Sequence, residues 1–305
     1  MANISLQKAK IAKNDEFYTQ LSDIDKELRH YGRHFDGKTV YCNCDDFYTS
    51  NFINYFVLHF DDLKLKKLVA TGFPVSDEGK GKSYVFMLGK GTGRKMELVE
   101  NRCDNAFPAG DFRNGRSLAL LEEADIVVTN PPFSLARKYL DVLFKYGRKF
   151  LLVGDLNWLT YSNVFPLVKE NMVWTGYNHI KDFVRPDGTC RKFGNKLWIT
   201  NLGRPERENA LVLRKRFDPS SYQRYDNYDA VEVGKVNDIP YDYDGVMGVP
   251  VTFLERFDAG RFEIVGATES EGKGFSNGLW KGGTKQALVD GRRVYKRIFV
   301  KLKQK

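Results

Sequence analysis

A tetrad of one asparagine, two prolines and one phenylalanine, Asn130-Pro131-Pro132-Phe133, follows directly on the apolar run Asp125-Ile126-Val127-Val128-Thr129. Consecutive prolines neither extend a β-ladder nor open a helix freely, so the backbone is frozen where a buried strand ends. Such a turn can aim a side-chain carbonyl, a backbone carbonyl and an aromatic ring at one flat ligand. An exocyclic amine on a nucleobase needs that set: acceptors for its protons and a π-face for its ring. In adenine the amine lone pair is delocalised into the ring, and it becomes nucleophilic when acceptors hold the amine protons out of the ring plane. The Asn130 side-chain oxygen and the Pro131 carbonyl can each take one proton, Pro132 locks the turn, and Phe133 stacks on the base. Transfer of a methyl group from a sulfonium donor then needs in-line positioning, with no covalent intermediate and no metal. A ring-carbon methylating enzyme would instead require a Pro-Cys nucleophile, and the sequence holds no such dipeptide.

A sulfonium donor such as S-adenosylmethionine needs a site at the carboxyl ends of the first strands, beside the Asn130 turn. Tyr41-Cys42-Asn43-Cys44-Asp45-Asp46 occupies that position, which makes Cys42, Asn43, Asp45 and Asp46 candidates for cofactor contact. Two roles are open to each aspartate: binding the ammonium of the cofactor's methionine part, or capping the following helix. No GxG fingerprint accompanies the run, so the assignment rests on position. Gly110-Asp111-Phe112-Arg113 precedes the Asp125 strand. There the Asp111 carboxylate can accept from the cofactor's adenine amine while Phe112 packs on its ring; the alternative is a simple turn aspartate.

These residues must be positioned by alternating strands and helices. Strands are predicted over 38–42, 65–71, 125–129, 149–154 and 172–177, and helices over 46–60, 135–146 and 162–170, from apolar periodicity and turn signals. The glycine-rich stretch from Gly79 to Gly93 reads as a hairpin or a loose loop. Strand–helix alternation implies an α/β fold with a Rossmann-like, doubly wound, mainly parallel sheet. Beyond Gly203 the texture becomes mixed and strand-rich, with strands predicted over 249–254 and 261–265. The basic terminus from Arg292 to Lys305 reads either as a last strand with solvated lysines or as a phosphate-facing edge. A catalytic domain over 1–202 and a second region over 203–305 follow.

The composition permits this reading without demanding it. Of 305 residues, 42% are hydrophobic, and 48 Lys plus Arg against 39 Asp plus Glu give a net charge of +9, as suits a protein that meets phosphate. The 4 cysteines form no CxxC pair and the 4 histidines are not grouped with them, so no metal site is expected. Reduced thiols, a basic terminus without an apolar core and the lack of a membrane-length apolar run point to a cytoplasmic protein that does not engage a membrane. Arg204, Arg207, Arg214, Lys215, Arg216 and Arg224 are candidate DNA contacts as a group, each otherwise an ordinary solvated side chain.

Asn14 to Gln20, Tyr41 to Asp46, Gly110 to Arg113, the Asn130 tetrad, Gly248 to Leu254 and Phe262 to Gly266 occur in this order in the EcoRI-type adenine-specific DNA methyltransferases, which the chain resembles along nearly its whole length. The resemblance implies cofactor contacts from Phe17, Tyr18, Thr19, Asn43, Asp45 and Asp111, catalysis at Asn130 to Phe133, and a carboxyl-terminal region that reads DNA sequence. It implies transfer of a methyl group from S-adenosylmethionine to the N6 amine of an adenine flipped out of double-stranded DNA. A cognate restriction endonuclease in the same system, without a stable complex, is the further partner expected. RNA bases or a protein glutamine amide are the alternative substrates, since both present planar amines. Gln20 stands where many relatives have proline. Thr71 ends the second strand where an acidic residue commonly clasps the cofactor ribose, leaving Asp77 and Glu78 as downstream candidates.

Overall fold

The computed structural model describes residues 18–45, 50–72, 83–99, 107, 110–184, 189–203, 211–269 and 274–303. The chain divides into two compact units, Met1–Asp155 with Gly176–Pro205, and Leu156–Thr175 with Glu206–Lys305.

In chain order the strands through the first unit are β1 (Tyr18–Thr19), β2 (Thr39–Cys42), β3 (Lys67–Gly72), β4 (Ser83–Gly89), β5 (Gly93–Val99), β6 (Ile126–Thr129), β7 (Lys149–Asp155), β8 (Trp174–His179), β9 (Asp182–Val184), β10 (Cys190–Lys192) and β11 (Lys196–Thr200). An eight-stranded sheet runs β5-β4-β3-β2-β6-β7-β11-β8, and β1, β9 and β10 form a small sheet of their own. The centre is parallel: β2 pairs with β3 and β6, and β6 with β7. The flanking pairs β3–β4, β4–β5 and β7–β11 are antiparallel. The mainly parallel sheet expected from strand–helix alternation is therefore a mixed one. The glycine-rich stretch supplies the reason on one side. Gly91 and Gly93 take φ of 75° and 67° around the β4–β5 turn, and so short a connection joins only antiparallel strands.

Helices cover both faces. Val40, Cys42, Ile126, Val128, Leu151 and Val153 project to one face, where they pack with Ile24 and Leu28 of α1 (Leu21–Leu28) and Phe52, Ile53 and Phe56 of α2 (Asn51–Leu58). This is the period-2 alternation of strands buried on both sides. Tyr41 points to the other face, where its hydroxyl meets Thr71 Oγ1 at 2.7 Å and donates to the Ser117 carbonyl of α3 (Gly115–Glu123) at 3.4 Å. The helix predicted over 135–146 is α4 (Ala136–Lys145), with Tyr139, Leu140 and Leu143 buried.

The fully buried Glu27 fixes α1 against β8. Its carboxylate accepts from the Tyr177 and Asn178 amides at 2.8 and 2.9 Å, from Asn178 Nδ2 at 2.9 Å and from the Tyr31 hydroxyl at 3.2 Å. Burial pushes this carboxyl above the ordinary value although every donor opposes the shift. Gly176 is required here, because a Cβ would overlap the Glu27 carboxylate and the Trp198 side chain.

The second unit holds α5 (Phe165–Lys169) and the strands β12 (Val231–Glu232), β13 (Met247–Pro250), β14 (Phe262–Ala267), β15 (Leu288–Val289), β16 (Arg292–Arg293) and β17 (Arg297–Leu302). Its main sheet runs β12-β13-β17-β14. The predicted helix over 162–170 shortens to Phe165–Lys169 because Pro166, lacking an amide proton, sits in its first turn. The strand predicted to begin at 172 begins at Trp174, since the chain first turns through Asn171 at φ 55°. The strand predicted over 249–254 ends at Pro250, and Val251–Arg256 winds into a 3₁₀ helix that buries the neighbours Phe253 and Leu254. Within the basic terminus, β17 is a strand between β13 and β14 and not an edge of that sheet.

Candidate active site

Asn130 leaves β6 at its carboxyl end, in the sheet's parallel centre, half-buried, with Pro131 buried behind it. Pro132, at φ −58° and ψ 118°, starts a 3₁₀ turn over Phe133–Leu135 that runs into α4, and its carbonyl accepts from the Leu135 amide at 2.9 Å. The proline pair thus does what its chemistry requires: it ends the strand and sets the tetrad's direction before the helix begins. The Phe133 ring stands edge-on to Phe183 and Phe193, at centroid distances of 6.3 and 6.5 Å.

Asp45 lies at the end of the neighbouring β2 connection and is 7% exposed. Its Oδ2 accepts from the hydroxyl of Thr129, the residue before Asn130, and its Oδ1 accepts from Ser50 Oγ at 2.7 Å. Its amide donates to the Thr71 carbonyl at 3.1 Å, tying the loop to the end of β3. Ser50 also caps α2, accepting from the Phe52 amide at 3.1 Å, so the cap that the sequence offered to Asp45 or Asp46 belongs to Ser50. The next residue, Asn51, donates from Nδ2 to the Thr19 carbonyl at 2.9 Å. The start of α2 is therefore hydrogen-bonded both to β1, through Asn51, and to the β2 loop, through Ser50, and that loop to the strand that carries Asn130. Thr19 is 3% exposed, and its hydroxyl oxygen has no hydrogen-bond partner among the described residues.

Asn43 is buried, with Oδ1 accepting from the Tyr139 hydroxyl of α4. Tyr139 stands edge-on to Phe112 at 5.0 Å, which brings the Gly110–Arg113 loop to the same strand ends. Arg113 engages Asp111 with its amide at 2.9 Å, Nε at 2.8 Å and Nη2 at 2.7 Å. A bidentate guanidinium orients the carboxylate and leaves part of its acceptor capacity for another donor. The Arg113 guanidinium carbon also sits 4.1 Å from the Phe107 ring centroid.

Asn43, Asp45, Asp111, Phe112, Thr19 and Asn130 to Phe133 thus come from elements that converge on one end of the sheet. Cys42 does not reach it with its side chain: the thiol packs in the apolar core, and burial together with the Asp45 charge pushes it well above its ordinary range. Cys44 is shifted the same way for the same reasons. Phe17, Asp46, Asp77, Glu78, Arg204 and Arg207 lie outside the described residues, as does the side chain of Tyr18. Thr71 spends its hydroxyl on Tyr41. Sequence reasoning passed over Phe183, Phe193 and Lys196, which surround Phe133. The signal available for the last was the turn Gly194-Asn195 followed by the apolar run Leu197-Trp198-Ile199.

Among the described residues no helix is long and apolar enough to cross a membrane. No solved structure matches the chain. Residues 5–303 match the family described as adenine-specific methyltransferase EcoRI. The chain is 42% identical to the type II methyltransferase M.EcoRI of Escherichia coli, over 99% of this chain and 97% of that protein. It is 35% identical to M.MgeORF184P of Mycoplasma genitalium and 36% identical to M.MpnI of Mycoplasma pneumoniae, both named type II methyltransferases, in each case over 85% of this chain and 84% of the relative. A tetrad suited to a planar amine, set in a chain that matches nearly end to end, leaves one conclusion: the chain belongs to the adenine-specific methyltransferase EcoRI family and is an adenine-specific DNA methyltransferase.

Proposed function

We propose that the strand-end cluster takes up an adenine flipped out of duplex DNA and methylates its N6 amine, with Asn130, Pro131, Pro132 and Phe133 as the catalytic turn. The Asn130 side-chain oxygen and the Pro131 carbonyl each accept one amine proton, drawing the nitrogen lone pair out of conjugation, and Phe133 supplies the stacking face. What supports this most is the set of hydrogen bonds that ties Thr19 to Asn51 and, through the adjacent Ser50, Asp45 to Thr129, the residue before Asn130. Preorganised acceptors of this kind lower a barrier without reorganising during the reaction.

S-adenosylmethionine, the methyl donor that the family implies, supplies an electrophilic sulfonium methyl when bound. The residues fit it. The buried, unsatisfied Thr19 hydroxyl is the kind of orphaned polar atom that a ligand completes. Asp45 offers a carboxylate to the ammonium of the methionine part, Asn43 stands beside it, and Asp111 and Phe112 receive the adenine end. Phe17, Tyr18 and Asp46 are assigned to the same cofactor on the strength of the motif, and Cys42 as the strand residue that places Asn43. Residues 1–202 carry catalysis and 203–305 recognise the DNA target. The enzyme acts in the cytoplasm, and a cognate endonuclease cuts the same sequence without a lasting complex.

Asn130→Ala tests the assignment. The variant is expected to bind cofactor and duplex DNA like the parent while single-turnover methylation falls about 100-fold or more, the scale seen when one preorganised polar group is removed. Near-parental turnover would reject the catalytic role of the turn.

A further inference from the structure

We propose that Lys196 is a positioning residue for the methyl transfer: a buried cation that fixes the Phe133 ring while Asp155 cancels its charge. The inference rests on the reading that the Asn130 turn receives the base.

Lys196 opens β11 and stands directly opposite Asp155, the last residue of β7, in the antiparallel register. Its ammonium donates to Asp155 Oδ2 at 2.8 Å, with side-chain exposures of 8% and 14%, and Asn195 Nδ2 donates to the same oxygen at 2.6 Å. The ammonium also lies 4.1 Å from the Phe133 ring centroid and 5.3 Å from that of Phe193. Phe133, Phe183 and Phe193 meet one another edge-on, so the cation sits within an aromatic corner. Because β7 runs parallel to β6, with Leu152 opposite Thr129, Asp155 belongs to the sheet end that presents Asn130.

As a stabilising device this pair is poor. Desolvating a lysine and an aspartate costs several kcal/mol per ion, and apolar residues of similar volume usually serve a fold as well or better. Its position is more informative than its energy. An ammonium attracted to the ring's negative face holds the ring plane, and that plane decides how a base stacks. A bare cation would oppose the positive charge that the amine nitrogen gains as it is methylated. The Asp155 carboxylate turns it into a dipole, which keeps the grip on the ring without that penalty.

The test is single-turnover methyl transfer to duplex DNA at saturating S-adenosylmethionine, with both dissociation constants measured in parallel. Lys196→Met is expected to slow transfer about tenfold or more, the loss of a desolvated cation–π contact, while both affinities stay within about twofold. Lys196→Arg, which keeps the cation, is expected to recover most of the rate. In a Phe133→Leu background the ring is gone, and adding Lys196→Met should cost less than about twofold. A parental rate for Lys196→Met, or its full loss repeated on top of Phe133→Leu, would overturn the proposal. Should Lys196→Met fail to fold, Lys196→Gln keeps a donor to Asp155 and removes the cation, and the same comparisons decide. If Asn130→Ala and Phe133→Leu both transfer at the parental rate, the base-site reading itself falls; if they are slow and Lys196→Met is not, only the role of Lys196 does.

Discussion

Charge is buried in both units of the chain, around Asp45 in the first and around Glu232 in the second, and the two clusters are built differently. Glu232 is closed on itself: it accepts from the Tyr225 hydroxyl and from Arg297 Nε and Nη2, the latter at 2.6 Å. The Glu232 charge beside Tyr225 and the burial of that phenol push it far above its ordinary value, burial being the larger cause. Asp45 accepts from the hydroxyls of Ser50 and Thr129, neutral donors that orient its carboxylate. A guanidinium clamp ties Glu232 into the sheet of the second unit; a hydroxyl pair ties Asp45 to the strand that carries Asn130. Other cations of the second unit, Arg214 and Lys215 among them, are exposed.

Substitutions that separate structure from chemistry will break or sharpen this comparison. Arg297→Met should have the largest effect, about 2–3 kcal/mol of stability, because the half-buried Glu232 is left without its countercharge. Urea denaturation measures it, and a change below about 1 kcal/mol would mean the cluster is not a structural pin. Asp45→Asn keeps the shape and one of the two hydroxyl contacts, and removes the charge. It should weaken S-adenosylmethionine about 30-fold by calorimetric titration, the worth of a hydrogen bond to a charged group, with little change in the unfolding midpoint. An unchanged dissociation constant would assign Asp45 to loop architecture alone. Arg214→Ala with Lys215→Ala should act least. A few-fold loss of DNA affinity, with the slope of log affinity against log salt falling by about 0.9 for each phosphate contact removed, is expected, and an unchanged slope would leave both side chains as solvated surface.

The parts of the molecule legible in the sequence were those governed by local chemistry. Apolar runs gave β2, β3, β6 and β7 within a residue or two, the proline pair marked the end of β6, and the glycine-rich stretch from Gly79 to Gly93 left a hairpin and a loose loop both open. Long-range pairing was not legible. Nothing local says that Lys196 faces Asp155, because the turn and apolar run around it can signal a strand but not its partner, which is 41 residues away. The 249–254 stretch misled for a different reason: Val-Pro-Val-Thr-Phe-Leu alternates well enough for a strand, yet the consecutive residues Phe253 and Leu254 are both buried in a 3₁₀ helix. Within the candidate site, Asn130 and Asp45 could be read from position after a strand. The cap on α2 could not, since Ser50 and Asp45 compete for it until their geometry is known.

The central claim, that this site methylates the N6 amine of adenine in duplex DNA, is tested most directly by the chemical identity of the product. S-adenosylmethionine labelled in its methyl group is offered with duplex DNA, RNA and total protein, and each product is hydrolysed and separated. Label recovered from the duplex as N6-methyladenine, lost with Asn130→Ala, is the result expected here. Label in cytosine, in RNA or in a glutamine amide, with none in duplex adenine, would contradict it.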